Sequence, residues 1–202
     1  DCLLSRGLGD VYKRQHLDNG TELVLYRGEA KQFRMREGST LSDEEEHQLI
    51  YEVVGKRAKR RTMHLLEQMD RTEQQLREKL KQGGYPQACI DLALEYVKSF
   101  HYVDDYRYAC TYINYRQDRM SRYQLKVKLY GKGVPGEVID RALEECYEGD
   151  EQEQIIHLLE KKKFDAQNSD PKEFTRVYQY LMRRGFRSND CLLYTSDAAD
   201  DK

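Results

Sequence analysis

The chain has 202 residues, and Lys+Arg 34 against Asp+Glu 36 leave a formal net charge of −2, which excludes a generic polycation but not a local basic face. With 35% charged residues, 39% apolar residues and a mean hydropathy of −0.92, only thin cores are available, and no run approaches the ~18 apolar residues of a membrane span. Five Cys without CxxC spacing argue against a zinc site or a disulfide scaffold, and three Pro with no Trp amid abundant Lys, Arg, Glu, Gln and Leu predict mostly helix.

The two ends fit poorly with the rest. No signal peptide opens the chain, since Leu3 and Leu4 are followed by Ser5, Arg6 and Gly7. Asp-Cys-Leu-Leu occurs at both 1–4 and 190–193. The stretch 5–15, SRGLGDVYKRQ, can be back-translated into a sequence that resembles a transposase-type sequencing-library adapter, and 191–201, CLLYTSDAADD, into one that resembles its partner in the opposite orientation. Segments 1–15 and 191–202 are therefore expected to be adapter-like, disordered or arbitrary in conformation, and about 16–190 to be the biological sequence, cut at both ends.

Residues 16–41 read as an N-terminal β-like segment with one strand at 21–26, TELVLY, punctuated by Gly20 and Gly28. Ser42 and Glu45 have the spacing of a capping box. A long helix follows, with Ile50, Val53, Val54, Ala58, Leu65 and Met69 at helical spacing. Residues 72–95 then recur at 121–144, with eleven of 24 positions identical, Leu76/Leu125, Leu80/Leu129, Gly84/Gly133, Pro86/Pro135 and Ile90/Ile139 among them. Thr72 with Gln75 and Ser121 with Gln124 are further capping boxes, the leucine pairs face a core, the glycines suit a left-handed helix end, and the prolines suit the first position of the next helix. A weaker third copy at 173–186 aligns Val177, Leu181, Gly185 and Phe186 with the same pattern, behind an Asp170-Pro171-x-Glu173 start. Further helices near 103–118 and 150–163, the latter with Ile155, Ile156, Leu158 and Leu159 on its apolar face, complete three units of three helices. The expected architecture is an all-α, elongated tandem array of three helix-turn-helix-like repeats at 42–100, 101–148 and 149–190, the last truncated.

Catalytic chemistry finds no foothold. Asp104-Asp105 sits where an acid caps a helix, and the five His (16, 47, 64, 101, 157) show no metal spacing. Cys89, Cys110 and Cys146 read as packing residues, and no GxxxxGK[ST] or GxGxxG motif occurs. No catalytic residue, cofactor or metal is expected. Charge placement says more. Lys56, Arg57, Lys59, Arg60 and Arg61 form one basic cluster; Arg116, Arg119, Arg122, Lys126 and Lys128, interleaved with Tyr112, Tyr115, Tyr123 and Tyr130, form a second; Lys161, Lys162, Lys163, Arg183, Arg184 and Arg187 form a third. One cluster per unit favours extended contact with an acidic partner, either a DNA backbone or an acidic protein polymer, while solvated helix faces are the plainer reading. The acidic stretches 43–46 and 144–153 would repel free DNA locally, which favours a partner protein or a protein–DNA assembly.

The blocks 56–86, 102–116 (YVDDYRYACTYINYR), 121–135 (SRYQLKVKLYGKGVP) and 180–186 (YLMRRGF), in this order and spacing, resemble the RecX family of bacterial recombinase regulators over roughly 40–190. The resemblance implies a non-enzymatic, cytoplasmic, monomeric protein of three three-helix repeats. It implies binding in the groove of the RecA–single-stranded-DNA filament and inhibition of strand exchange, ATP hydrolysis and co-protease activity, and so modulation of homologous recombination, DNA repair and the SOS response. Weak direct DNA binding is a lesser expectation, and no membrane is involved. The family has no catalytic residues to carry over, so the three basic clusters are the candidate contacts. The last helix of the third repeat is expected to be missing. The alternative reading is a helix-turn-helix-like DNA-binding or transcriptional module.

Overall fold

The computed structural model describes residues 12–16, 22–36 and 40–196. β1 (Tyr12–His16) and β2 (Glu22–Tyr26) pair antiparallel, Tyr12 opposite Tyr26 and His16 opposite Glu22. The strand expected at 21–26 thus forms, with Leu23 and Leu25 turned into the core. Tyr12–Gln15, expected to be disordered or arbitrary, serves as its partner strand, while 1–11 lies outside the described residues.

Helix α1 (Arg27–Gln32) has no counterpart in the sequence reading, because Ala30 and Phe33 alone carry its apolar face. α2 (Asp43–His47) starts on the expected box: the Glu45 amide donates to the Ser42 hydroxyl at 3.2 Å, and the Ser42 amide donates to the Glu45 carboxylate at 3.0 Å. The helix runs on through a π-helical stretch, Gln48–Val54, into α3 (Gly55–Gln68). Ile50, Val54, Ala58 and Leu65 are buried as expected, whereas Met69 lies beyond the helix end and is 57% exposed.

Three helix triplets follow. α3, α4 (Glu73–Gln82) and α5 (Gln87–Ser99) form the first. α6 (Asp105–Asn114), α7 (Arg122–Tyr130) and α8 (Gly136–Cys146) form the second. α9 (Glu151–Lys162), α10 (Pro171–Arg183) and α11 (Ser188–Ser196) form the third. The chain divides into two compact units at Asp104/Asp105. The first unit packs the hairpin residues Leu23 and Leu25 with Leu49, Val54, Leu76, Leu80, Ile90 and Leu94. The second unit holds one cluster around Ile113, Leu125, Leu129, Ile139 and Leu143, and another around Ile155, Leu159, Val177, Leu181 and Phe186. Each fully buried leucine of the i, i+4 pairs contributes about 2 kcal/mol of apolar burial.

The turn chemistry repeats. Gly84, Gly133 and Gly185 all take positive φ (74°, 80° and 82°), and the residue after each donates its amide back to Leu80, Leu129 or Leu181. A side chain would also clash at two of these glycines: a Cβ on Gly84 would lie 2.4 Å from Val24 Cγ2, and one on Gly185 2.3 Å from Tyr123 Cδ1.

Several local expectations need correction. Pro86 and Pro135 are N-caps, one position before the first helical residue, because their extended ψ places only the carbonyl in the helix; Pro171 does occupy the first position. Thr72 and Gln75 form the full reciprocal box, but at Ser121 one half is seen, the Gln124 amide donating to the hydroxyl. Ile156 is 42% exposed, off the apolar face carried by Ile155 and Leu159. Cys110 and Cys146 are joined as a disulfide between α6 and α8, Cα atoms 5.6 Å apart, a pairing set by topology and invisible to CxxC spacing. The third repeat's last helix, expected to be missing, is α11: Cys191 is buried in the third core cluster with Tyr194 packed against it, and the buried Thr195 hydroxyl donates back to the Cys191 carbonyl at 2.6 Å.

Candidate functional site

The three basic clusters end up in different environments. On α3, Lys56, Lys59 and Arg60 continue into Met63, His64 and Glu67 along one helix face, and with Tyr96 of α5 they line an open groove of ≈ 410 Å³. Lys59 Nζ lies 5.1 Å from the centre of the Tyr96 ring. Lys56 pairs with Glu52 one turn earlier at 2.5 Å, and this hydrogen bond holds the Glu52 carboxyl below its ordinary value. Arg61 is exposed.

Arg57 is withdrawn from that face. Its guanidinium donates to Glu29 at 2.6 Å and to the Val24 carbonyl, and lies over the rings of Tyr26 and Tyr85 at 4.7 and 5.4 Å. Side-chain exposure is 18% for Arg57 and 16% for Glu29, so the pair ties the hairpin and α1 to the first repeat.

In the second repeat, the Arg116 guanidinium stacks 4.6 Å over Tyr112 and that of Arg122 lies 5.9 Å from the Tyr147 ring. Lys126 pairs with Asp140 of α8, while Arg119 and Lys128 are exposed. Tyr115, Tyr123 and Tyr130 are 82%, 60% and 72% exposed. Tyr123, Val127 and Tyr130 recur at helical spacing and make the outer face of α7, opposite the buried Leu125 and Leu129. In the third repeat, Lys162 and Arg184 both approach the Tyr180 ring, at 4.1 and 4.9 Å, and Arg183 donates to the Gln179 carbonyl at 3.3 Å. Lys161, Lys163 and Arg187 are exposed.

The third helix of the second repeat, which would enter a DNA groove in a helix-turn-helix protein, has the opposite charge. α8 exposes Glu137, Asp140, Glu144 and Glu145, with Arg141 alone as a cation. Glu145 accepts from the Tyr106 hydroxyl and from Arg141 at 2.9 Å, which holds its carboxyl below the usual range.

Asp105 opens α6, in the capping region expected of it. Cys89 is fully buried, its thiol directed at the Ile50 carbonyl at 3.2 Å, and burial pushes it up to about 11, which leaves it protonated and unreactive at neutral pH. Among the described residues no group of His, Cys, Asp and Glu could hold a metal, and no helix is long and apolar enough to cross a membrane. The sequence reading found the cations but missed Met63, His64 and Tyr96. The signal was there for the first two, since they continue the spacing of Lys56, Lys59 and Arg60; Tyr96 is brought alongside only by the packing of α5 on α3.

Comparison with known proteins accounts for the repeats one by one. Family models described as the first, second and third three-helix domains of RecX match residues 58–96, 104–143 and 149–192. The chain is 32% identical over 159 residues to the regulatory protein RecX of Geobacillus kaustophilus, covering 77% of this chain and 59% of that one. It is 36% identical over 132 residues to that of Trichlorobacter lovleyi, covering 63% of this chain and 86% of the relative. A crystal structure of a regulatory protein RecX superposes with a TM-score of 0.66 at 22% identity, over 92% of this chain and 94% of the other. The RecX structure from Lactobacillus salivarius gives 0.62 at 17% identity, over 72% of this chain and 97% of that one.

Proposed function

The chain belongs to the RecX family of regulatory proteins, and from that premise we propose that it binds the RecA filament on single-stranded DNA and restrains its recombinase, ATPase and co-protease activities. It does so by occupancy, without chemistry of its own. The observation that carries the reading is the exposed cationic face on each matched repeat. Arg60 and Arg61 are exposed on the first, with Lys59 half-buried beside them and Lys56 exposed just before the matched residues; Arg116, Arg119, Arg122 and Lys128 are exposed on the second, and Lys162 and Arg183 on the third, with Arg184 half-buried. One such face is worth little in water, because exposed ion pairs contribute roughly 0–1 kcal/mol. Several faces engaging successive subunits of a polymer act together, and a protein that binds this way resides long enough to block extension or hydrolysis. The setting is the cytoplasm, the partner is RecA on DNA, and the consequence is damping of recombinational repair and of the SOS response.

The test is ATP hydrolysis by RecA on single-stranded DNA with increasing amounts of the protein. Inhibition at or below one protein per RecA subunit is expected. No inhibition, together with tight, salt-sensitive binding to bare duplex DNA, would replace the proposal with the helix-turn-helix reading. The acidic surface of α8 favours the first outcome, since Glu137, Asp140, Glu144 and Glu145 would face phosphates at the position of a recognition helix.

A further inference from the structure

The groove of the first repeat has a polarity that simple attraction to an acidic partner does not explain. Along α3 the cations Lys56, Lys59 and Arg60 occupy one end, Met63 lies in the middle beside Tyr96 of α5, and Glu67 closes the other end. At ~1.5 Å per residue this stripe is about 16 Å long, three turns of helix. Lys56 pairs closely with Glu52, whose charge Lys59 also feels at longer range; among the described residues neither Lys59 nor Arg60 makes an ion pair within 4.0 Å. Glu67 is 70% exposed, with His64 3.6 Å away.

We propose that this groove docks an amphipathic helical segment of the protein partner, acidic at one end and basic at the other. The acidic end meets Lys59 and Arg60, an apolar side chain covers Met63 and Tyr96, and a basic residue meets Glu67. The inference rests on the filament-binding reading and assigns the first repeat to protein rather than to nucleic acid. Three observations support that choice. A phosphate chain following the groove would have to pass Glu67, a like charge. The ring of Tyr96 already has the Lys59 ammonium 5.1 Å from its centre, so that face is not open for a base to stack on. A stripe of charges around an apolar centre, three turns long, matches the way a helix lies in a groove, with its register set by complementary ends.

The experiment uses the full chain with p-benzoyl-phenylalanine in place of Tyr96, irradiated on RecA filaments assembled on end-labelled single-stranded DNA, with ATP hydrolysis followed in parallel. Crosslinking to a RecA segment with acidic and basic ends is expected. Lys59→Glu combined with Arg60→Glu should raise the concentration for half-inhibition roughly ten-fold. Glu67→Lys should raise it as well, by roughly three-fold. The sign of this last effect separates the partners, because a nucleic-acid contact would be strengthened by the added cation. Crosslinking to DNA, tighter action by Glu67→Lys, or intact inhibition with no crosslink from position 96 each overturns the groove assignment and leaves the functional reading standing. Failure of the unsubstituted protein to inhibit overturns both.

Discussion

Replacing Arg57 separates the structural cation of the first repeat from its neighbours on the same helix. Arg57→Met keeps the aliphatic stem but removes the donors to Glu29 and to the Val24 carbonyl, and leaves the Glu29 carboxylate, 16% exposed, without its cation. Hydrogen bonds to charged groups contribute roughly 1.5–3 kcal/mol each, and removing one partner of a buried pair costs roughly 3–5 kcal/mol. Both side chains retain some exposure, so solvent screening places the loss near the lower end, about 3 kcal/mol. For a unit of this size that is a fall in Tm of roughly 12 °C or more. Glu29→Gln in the Arg57→Met background should recover part of the loss, since no unpaired charge then remains. Differential scanning calorimetry of the full chain measures the first, and RecA ATPase inhibition at a temperature where both proteins are folded measures the second. Half-inhibition should be unchanged in Arg57→Met and raised in Lys59→Glu with Arg60→Glu. A stability loss below about 1 kcal/mol, with weakened inhibition, would refute the reasoning and return Arg57 to the contact face.

Arg116→Glu with Arg119→Glu should weaken inhibition without lowering Tm, because Arg119 is exposed and Arg116 holds no buried partner; unchanged inhibition would mark the cluster as a solvated face. The Cys110–Cys146 disulfide spans 36 positions, and by loop-closure entropy its reduction should cost roughly 3–4 kcal/mol, read as a lower urea midpoint in dithiothreitol and in Cys110→Ser; a free-thiol assay that finds both cysteines reduced in the purified protein, with no reductant effect, would contradict the bond. Lys98, and then Arg77, hold the Glu73 carboxyl below 4.5; a carboxyl lowered by folding stabilises above its unfolded pKa and loses that contribution as pH falls through its folded value. Parent and Glu73→Gln should therefore differ in urea midpoint at neutral pH and converge in acid; a difference that persists in acid would point to packing instead.

The elements legible in the sequence were those whose signals are local. Capping hydroxyls at Ser42 and Thr72, leucines at i and i+4, and a glycine after the last turn each act within one helix end, and each was found where expected. What escaped depends on partners distant in the chain. α1 has too few apolar residues to show a period, and forms because Ala30 and Phe33 meet the hairpin core. Arg57 was indistinguishable from Lys56 and Lys59 until Glu29 and Val24 were folded against it. The disulfide and the contribution of Tyr96 to the groove likewise follow from which helices become neighbours. The candidate contact cations were legible as residues, but their grouping was not: Arg57 points inward, and Lys126 is committed to Asp140.

Ser121 joins two helix ends. Its buried hydroxyl accepts from the Gln124 amide at the start of α7 and donates to the Arg184 carbonyl at the end of α10, at 2.6 Å. The same oxygen therefore closes the entry of one repeat's central helix and the exit of the next repeat's. If α10 frays at Arg184, the hydroxyl loses its acceptor, and with it the orientation that shields the first turn of α7. Amide exchange at Gln124 should then report the opening of α10, some sixty residues away in sequence.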